Sequence, residues 1–338
     1  MWQFSRCASA VLLAISASLT FGAEHGVALL YHHIATHTPP STSVSPQNFQ
    51  AHLRYLKDHN FNVMKLSTLV ETLRAGDPLP ERSVALTFDD AYKSVHTTAL
   101  PLVREWGYPI TLFVNTDKPA TQSHLYMNWE ELADVISAGG EVQSHGHGHA
   151  SLAFPEDGES MTQWRLRVQT DISRANNLIE QHLRIRPKLF AYPYGEYSQA
   201  LKDVMEEFSL VGIGQHSGAI GPDSDFLGLP RHPLYHGADD LQHFAQRVRT
   251  RPLYLTASPQ GPLRVDSNSS ITLTLRNSGV VPTGCFLNGT PIALHSTLDG
   301  THRLKDTGPF LQRRSKINCT KKDGKDHYLW WSYLFIRP

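Results

Sequence analysis

The chain has 338 residues, 40% of them hydrophobic and 18% charged, with 31 basic and 31 acidic side chains. That balance excludes a disordered polyelectrolyte and gives no electrostatic reason to expect a nucleic-acid partner. The length suits one domain of about 200–250 residues with a smaller companion.

Residues 1–23 read as an export signal. Arg6 supplies a basic start, Ala8 to Leu19 an apolar core, and Phe21-Gly22-Ala23 small residues for cleavage. The run is shorter than the ~18 apolar residues needed to cross a bilayer and is interrupted by serines. No second run of that length follows, so the expectation is an exported protein, periplasmic or secreted, with no transmembrane segment.

From residue 27 strands and helices alternate. Val27 to Tyr31 is a nearly continuous apolar run, as in a strand covered on both faces. Pro46 opens a helix with Phe49, Leu53 and Leu56 on one face. Ser67 is expected to cap a helix carrying Leu69, Val70 and Leu73, which Gly76 closes. Val84 to Phe88 and Ile110 to Val114 are further buried strands. Asn128 caps a helix over Trp129–Ser137, and Glu141 to Ser144 forms a short strand. A helix over Met161–Leu183, strands at Lys188–Tyr192 and Leu210–Gly214, and a helix over Leu241–Val248 complete the series. This alternation predicts an α/β fold over residues 24–250, a closed or distorted (β/α) barrel rather than an open sheet. Chemistry should gather at the carboxyl ends of its strands.

After Arg251-Pro252 the texture changes to period-two alternation at Ile271–Leu275, a turn at Asn288-Gly289, and five aromatics between Tyr328 and Phe335. Residues 251–338 therefore read as a small all-β C-terminal domain. Its two cysteines, Cys285 and Cys319, are expected to pair in an oxidising compartment. Twelve Lys and Arg stand against five Asp there. Arg313-Arg314 and Lys321-Lys322 could thus meet an anionic glycan or envelope surface. Tyr328, Trp330, Trp331 and Tyr333 either stack on sugar rings or form core.

Three clusters carry chemistry, each after a strand. Thr87-Phe88-Asp89-Asp90 sets two carboxylates side by side, and alternation along a strand would give them different jobs. Ser144-His145-Gly146-His147-Gly148-His149 has two glycines within five residues, which disfavour a helix and suit a loop that wraps imidazoles around an ion. Phe190-Ala191-Tyr192-Pro193-Tyr194-Gly195 is a turn able to present the Tyr194 N–H or ring.

In this order, the three clusters resemble the motifs of the NodB-like polysaccharide deacetylases, the fourth family of carbohydrate esterases. The resemblance covers residues 27–250 and implies a distorted (β/α) barrel, N-deacetylation of a glycan, and zinc, with cobalt or nickel as substitutes. By that resemblance Asp89 is the general base, Asp90, His145 and His149 are the metal ligands, and the Tyr194 N–H, beside Pro193, is the oxyanion donor.

Three positions depart from the family pattern. Gly146 stands where Ser or Thr steadies the histidine loop, and Ala191 where an arginine orients the base. Leu229-Pro230-Arg231-His232-Pro233 replaces the usual late Leu-x-His. Tyr31-His32-His33 at the end of the first strand resembles the permuted subgroup that includes a deacetylase of biofilm poly-β-1,6-N-acetylglucosamine. In that subgroup the N-terminal strand supplies the late histidine. This makes His32 the expected general acid, with His232 its rival and Arg231 a further candidate, while His33 should point away by alternation. Two alternatives stay open: a glycan-binding barrel that has lost turnover, suggested by Gly146 and Ala191, or a hydrolase of another amide such as a peptidoglycan component.

Overall fold

The computed structural model describes residues 22–337, apart from 122, 260, 270–271, 278–279, 298–300, 305–308 and 325–326. Residues 1–21 of the expected leader and Ile271 of the expected tail strand lie outside the described residues. No described helix is long and apolar enough to cross a membrane.

Eight parallel strands build the first sheet: β1 (Gly26–Tyr31), β2 (Asn62–Val63), β3 (Ser83–Phe88), β4 (Thr111–Val114), β5 (Glu141–Ser144), β6 (Leu189–Ala191), β7 (Val211–Ile213) and β8 (His232–Pro233). Their order is β8-β1-β3-β4-β5-β6-β7, with β2 beside β3. Every residue of β1, β3, β4 and β5 is buried, because helices cover one face and the barrel interior the other.

The sheet curls until its ends meet. Leu229 bridges Ile213 at the β7 edge, and three residues later His232 and Pro233 pair with Leu29 and Leu30 of β1. Segment 229–233 is therefore the staple of the barrel. A closed or distorted α/β barrel is what the alternation predicted, and the final strand is too short and polar to read from its sequence.

The helices follow their capping signals with one exception. Ser45 accepts from the Asn48 N–H at the start of Pro46–Asp58, and Asn128 with Glu131 forms a capping box at Trp129–Ser137. Gly76 ends Leu66–Ala75 in the left-handed conformation. Ser67, however, is not a cap. That helix begins at Leu66, and the buried Glu141 of β5 accepts from the Ser67 N–H at 3.0 Å. A carboxylate from another strand does the capping, which local sequence cannot reveal.

The chain continues into two antiparallel-rich sheets. One contains β9 (Thr250–Pro252), β11 (Leu263–Arg264), β13 (Gly284–Leu287), β14 (Thr290–Ile292), β17 (Arg314–Asp323) and β18 (His327–Ile336). The other contains β10 (Leu255–Ser258), β12 (Leu273–Asn277), β15 (Leu294–Ser296) and β16 (Thr301–Leu304). Cys285 and Cys319 lie opposite each other on β13 and β17 and form a disulfide.

The long strands β17 and β18 have two working faces. Ile317, Cys319, Tyr333 and Phe335 face the tail's own core, whereas Leu334 and Ile336 pack with Trp164, Ile172 and Tyr192 of the barrel. Trp330 lies edge-on to His232 at 5.4 Å, and the Tyr333 hydroxyl donates to the Pro259 carbonyl. Both aromatics thus make packing contacts, and both also line a cavity with Tyr254 and Trp331.

Candidate active site

The site grows out of what happens after β3. The Asp89 N–H is still held by the Tyr31 carbonyl at 3.0 Å, but Asp90 and Ala91 turn left-handed, with φ of 69° and 52°. That break swings the second carboxylate toward the loop following β5. His149, on that loop, is also left-handed at φ 54°, and so is Tyr194 at φ 60°. Non-glycine residues in this region are strained, and they cluster where a site over-determines them.

Asp90, His145 and His149 come together: one ligand atom of each lies within 4.8 Å of the others. Asp90 Oδ1 is 3.3 Å from His149 Nε2 and 3.6 Å from His145 Nε2. His145 Nδ1 sits 2.6 Å from the Ala191 carbonyl, a partner that requires the proton on Nδ1 and leaves a lone pair on Nε2. That Nε2 is buried and has no hydrogen-bond partner. An orphaned buried acceptor is costly unless something fills its lone pair, and an oriented imidazole beside a carboxylate suits a divalent metal. Asn115 Nδ2 donates to Asp90 Oδ1 at 3.1 Å and fixes the carboxylate. Burial opposes the Asp90 charge, but the surrounding imidazoles of His145, His32 and His149 reverse this and hold its carboxyl below the usual range.

Asp89 is built differently. Arg231 grips it with a fork, Nη1 to Oδ1 at 2.7 Å and Nη2 to Oδ2 at 2.8 Å. The same guanidinium donates to Thr87 Oγ1 and the Gly214 carbonyl and faces the Phe113 ring, with no exposure to solvent. Gln215 Nε2 adds a donor to Asp89 Oδ2 at 3.3 Å. Burial alone would raise the Asp89 pKa, yet Arg231 and then His145 pull it far below the ordinary carboxylate range.

The departures seen in the sequence have structural answers. The arginine missing at Ala191 arrives from the barrel staple as Arg231. The support missing at Gly146 comes from the helix Met161–Leu183, where Asp171 accepts from the His147 N–H at 2.9 Å and the Gly148 N–H at 3.3 Å. Gly146 itself has φ 79°, and a Cβ there would lie 2.7 Å from Asp171 Oδ1. Side chain and aspartate exclude each other.

Of the histidines after β1, His32 is partly buried, and its electrostatic neighbours are Asp89, Asp90, Arg231 and His145. Burial lowers its pKa, against the pull of the two carboxylates. His33 stacks on Tyr92 at 3.6 Å, and Asp90 is among its electrostatic neighbours too, so alternation does not carry it clear of the cluster. His232 bonds Thr250 Oγ1 at 2.8 Å beneath Trp330, and its charged neighbours, Arg247 and His216, belong to no carboxylate of the site. His147 bonds Thr116 instead of joining His145 and His149. Tyr194 is 40% exposed, with its ring centroid 4.4 Å from that of His149 in an edge-to-face arrangement, and the buried Pro193 opens its turn.

Sequence reasoning passed over Asn115, Asp171 and Gln215. Asp171 alone carried a signal: it lies on the same helical stripe as Trp164, Val168, Ile172, Ala175 and Ile179, an acid among buried apolar positions.

The polysaccharide deacetylase family model matches residues 76–213. That matched stretch includes Asp89, Asp90, His145 and His149. His32 and Arg231 fall outside that matched segment, so the cluster draws on both ends of the barrel. A poly-β-1,6-N-acetyl-D-glucosamine N-deacetylase of Staphylococcus aureus (strain MRSA252) is 23% identical over 210 residues, 61% of this chain and 71% of that protein. The Escherichia coli (strain K12) protein of the same name is 22% identical over 257 residues, and the match covers 66% of this chain but only 38% of that one. The Streptococcus pyogenes deacetylase PplD, solved with acetate, superposes with a TM-score of 0.60 at 19% identity, covering 66% of this chain and 98% of its own. At that identity the structural likeness establishes the deacetylase fold.

Proposed function

We propose that this protein is an exported N-deacetylase that hydrolyses the acetamido groups of an N-acetylglucosamine polymer, with poly-β-1,6-N-acetylglucosamine the first substrate to test. The orphaned Nε2 of His145, aimed at Asp90 beside His149, carries the reading. The named activity of the S. aureus and E. coli relatives supports the polymer.

Asp90, His145 and His149 would hold the ion, and zinc fits their one-oxygen, two-nitrogen set. Such an ion supplies Lewis acidity toward the acetyl carbonyl and makes a water acidic near neutral pH. The remaining steps belong to side chains. Asp89, kept ionised and oriented by Arg231, accepts the proton of the attacking water. The Tyr194 N–H, in the turn opened by Pro193, donates to the oxygen that becomes negative. His32 donates to the departing amine, since an amide anion is too poor a leaving group. The surroundings of His232 support His32 over it. Arg231 and Asp171 support catalysis over the binding-only alternative, because each restores a function whose loss suggested it. Residues 1–23 as an export signal and the division near residue 250 complete the proposal.

Acetate release from a panel of poly-N-acetylglucosamine, chitin oligomers and peptidoglycan, by protein loaded with zinc, cobalt or nickel, tests the reading. Release from the first substrate is expected. No release from any of them under any metal would overturn it.

A further inference from the structure

Glu196 is fully buried two residues beyond Tyr194, and the chemistry above has no use for it. Its carboxylate gathers donors from three directions. Ser151 Oγ, two residues after His149, donates at 2.5 Å. Arg313 donates through Nε at 2.8 Å and Nη2 at 2.9 Å, and Arg314 through Nη1 at 3.3 Å. Burial opposes the charge on Glu196, and the hydrogen bonds from Arg313 and Ser151 reverse it, so the group stays anionic below the usual carboxylate range. The Arg314 guanidinium also lies over the Tyr194 ring at 5.3 Å. On the same face of β17, Lys316 Nζ donates to the Gln215 carbonyl at 2.6 Å, and Gln215 in turn bonds Asp89.

The tail therefore reaches the surroundings of the site at two points, the Glu196 carboxylate and the Gln215 carbonyl. An arginine fork fixes a carboxylate in plane as well as in place. Tyr194 and His149 both hold left-handed backbones, which persist only when surrounding contacts over-determine them. Through Ser151 and its own peptide, Glu196 is within two residues of both. The basic pair Arg313-Arg314, which the sequence offered to an external anion, is engaged by this internal one.

We propose that Glu196 is a positioning residue for His149 and Tyr194, and that the C-terminal sheet acts on deacetylation through the Arg313–Glu196 pair. This rests on the function proposed above. Arg313 is half exposed and Arg314 remains beside Glu196, so Arg313→Ala should leave the fold intact.

The test compares full-length Arg313→Ala, Arg313→Lys and Glu196→Gln with the parent for kcat, KM, zinc affinity and melting temperature. Outer partners of metal ligands are commonly worth ~10–100-fold in metal affinity or activity. Arg313→Ala and Glu196→Gln should each lose about tenfold or more in kcat, with KM changed far less, and bind zinc more weakly. Arg313→Lys should recover part of the loss, and the double variant should be no worse than Glu196→Gln alone. Parent-like kcat and zinc affinity in both single variants would overturn the inference, as would losses that merely track the unfolded fraction. A parent protein that released no acetate would instead sink the functional reading, and the zinc titrations would still decide the role of Glu196.

Discussion

The barrel and the tail bury polar groups for opposite ends. In the barrel, short strands covered on both sides leave chemistry only at their carboxyl ends, where Asp89, Asp90 and His145 sit with little or no exposure. In the tail, the long strands β17 and β18 give one face to their own core and lay Arg314, Lys316 and Ser332 against the barrel, where Ser332 Oγ donates to the Ser217 carbonyl. The barrel holds the groups proposed to react, and the tail bonds to Glu196, Gln215 and Ser217 beside them. Damage in the barrel should therefore remove metal or chemistry outright, whereas damage in the tail should act at a distance and by degrees.

The sharpest contrast comes from the ligand set. Asp90→Ala or His145→Ala should abolish zinc binding and reduce acetate release to background, with the melting temperature nearly kept. Elemental analysis of the purified variant checks this, and a variant that retained both zinc and turnover would remove that residue from the metal set. Next is Arg231→Met, which leaves Asp89 buried without its cation. Breaking a buried pair costs about 3–5 kcal/mol, and a misoriented base loses on the order of 10²–10⁴-fold in rate. Denaturant unfolding and kcat should both respond; an effect on rate alone would mean that water or Gln215 compensates Asp89.

In the tail, replacing Cys285 and Cys319 by serine opens a loop whose ends are 34 residues apart, at about 3–4 kcal/mol on the loop-entropy model. A separate, earlier melting step is expected, with activity lost at that step rather than at the barrel's. Asp171→Ala should be milder, weakening zinc by about 10–100-fold as the histidine loop loosens. Unchanged affinity there would show that Gly146 and Gly148 hold the loop unaided.

A different kind of effect is on acid stability. Burial, with lesser contributions from nearby charges, lowers His52 to about 4 and His216 and His232 to about 3, against an ordinary 6.5. All three lie outside the proposed metal set. Because their folded pKa values are depressed, the unfolded chain takes up protons first. Their contribution is complete above about pH 6.5 and falls away as pH drops toward 3–4. A melting temperature flat between pH 7 and 4 would contradict this.

Legibility followed the same division. The barrel's strands and the Asp-Asp and histidine clusters could be read because buried parallel strands are continuous apolar runs and their ends are marked by polar residues. What the sequence hid were partners supplied from far away. Arg231 lies 142 residues from Asp89, Asp171 lies 24 from His147, and Glu141 caps a helix 74 residues earlier. No local window contains both members of such a pair. The tail read correctly as alternating strands, but alternation says only that a strand has two faces, not that the polar one is spent on the barrel. Arg313 and Arg314 thus looked like surface charge.

The staple at 229–233 has a consequence in time. During synthesis Asp89 emerges long before the guanidinium that neutralises it, and the sheet cannot close until that late segment joins β1. Contacts of such sequence separation must absorb a large loop entropy before they return any stability, which slows folding. A nascent or truncated chain ending before residue 229 holds a buried carboxylate without a counter-ion and a sheet with two raw edges. Such a chain is poorly suited to fold early, and well suited to remain unfolded until the whole polypeptide has been synthesised.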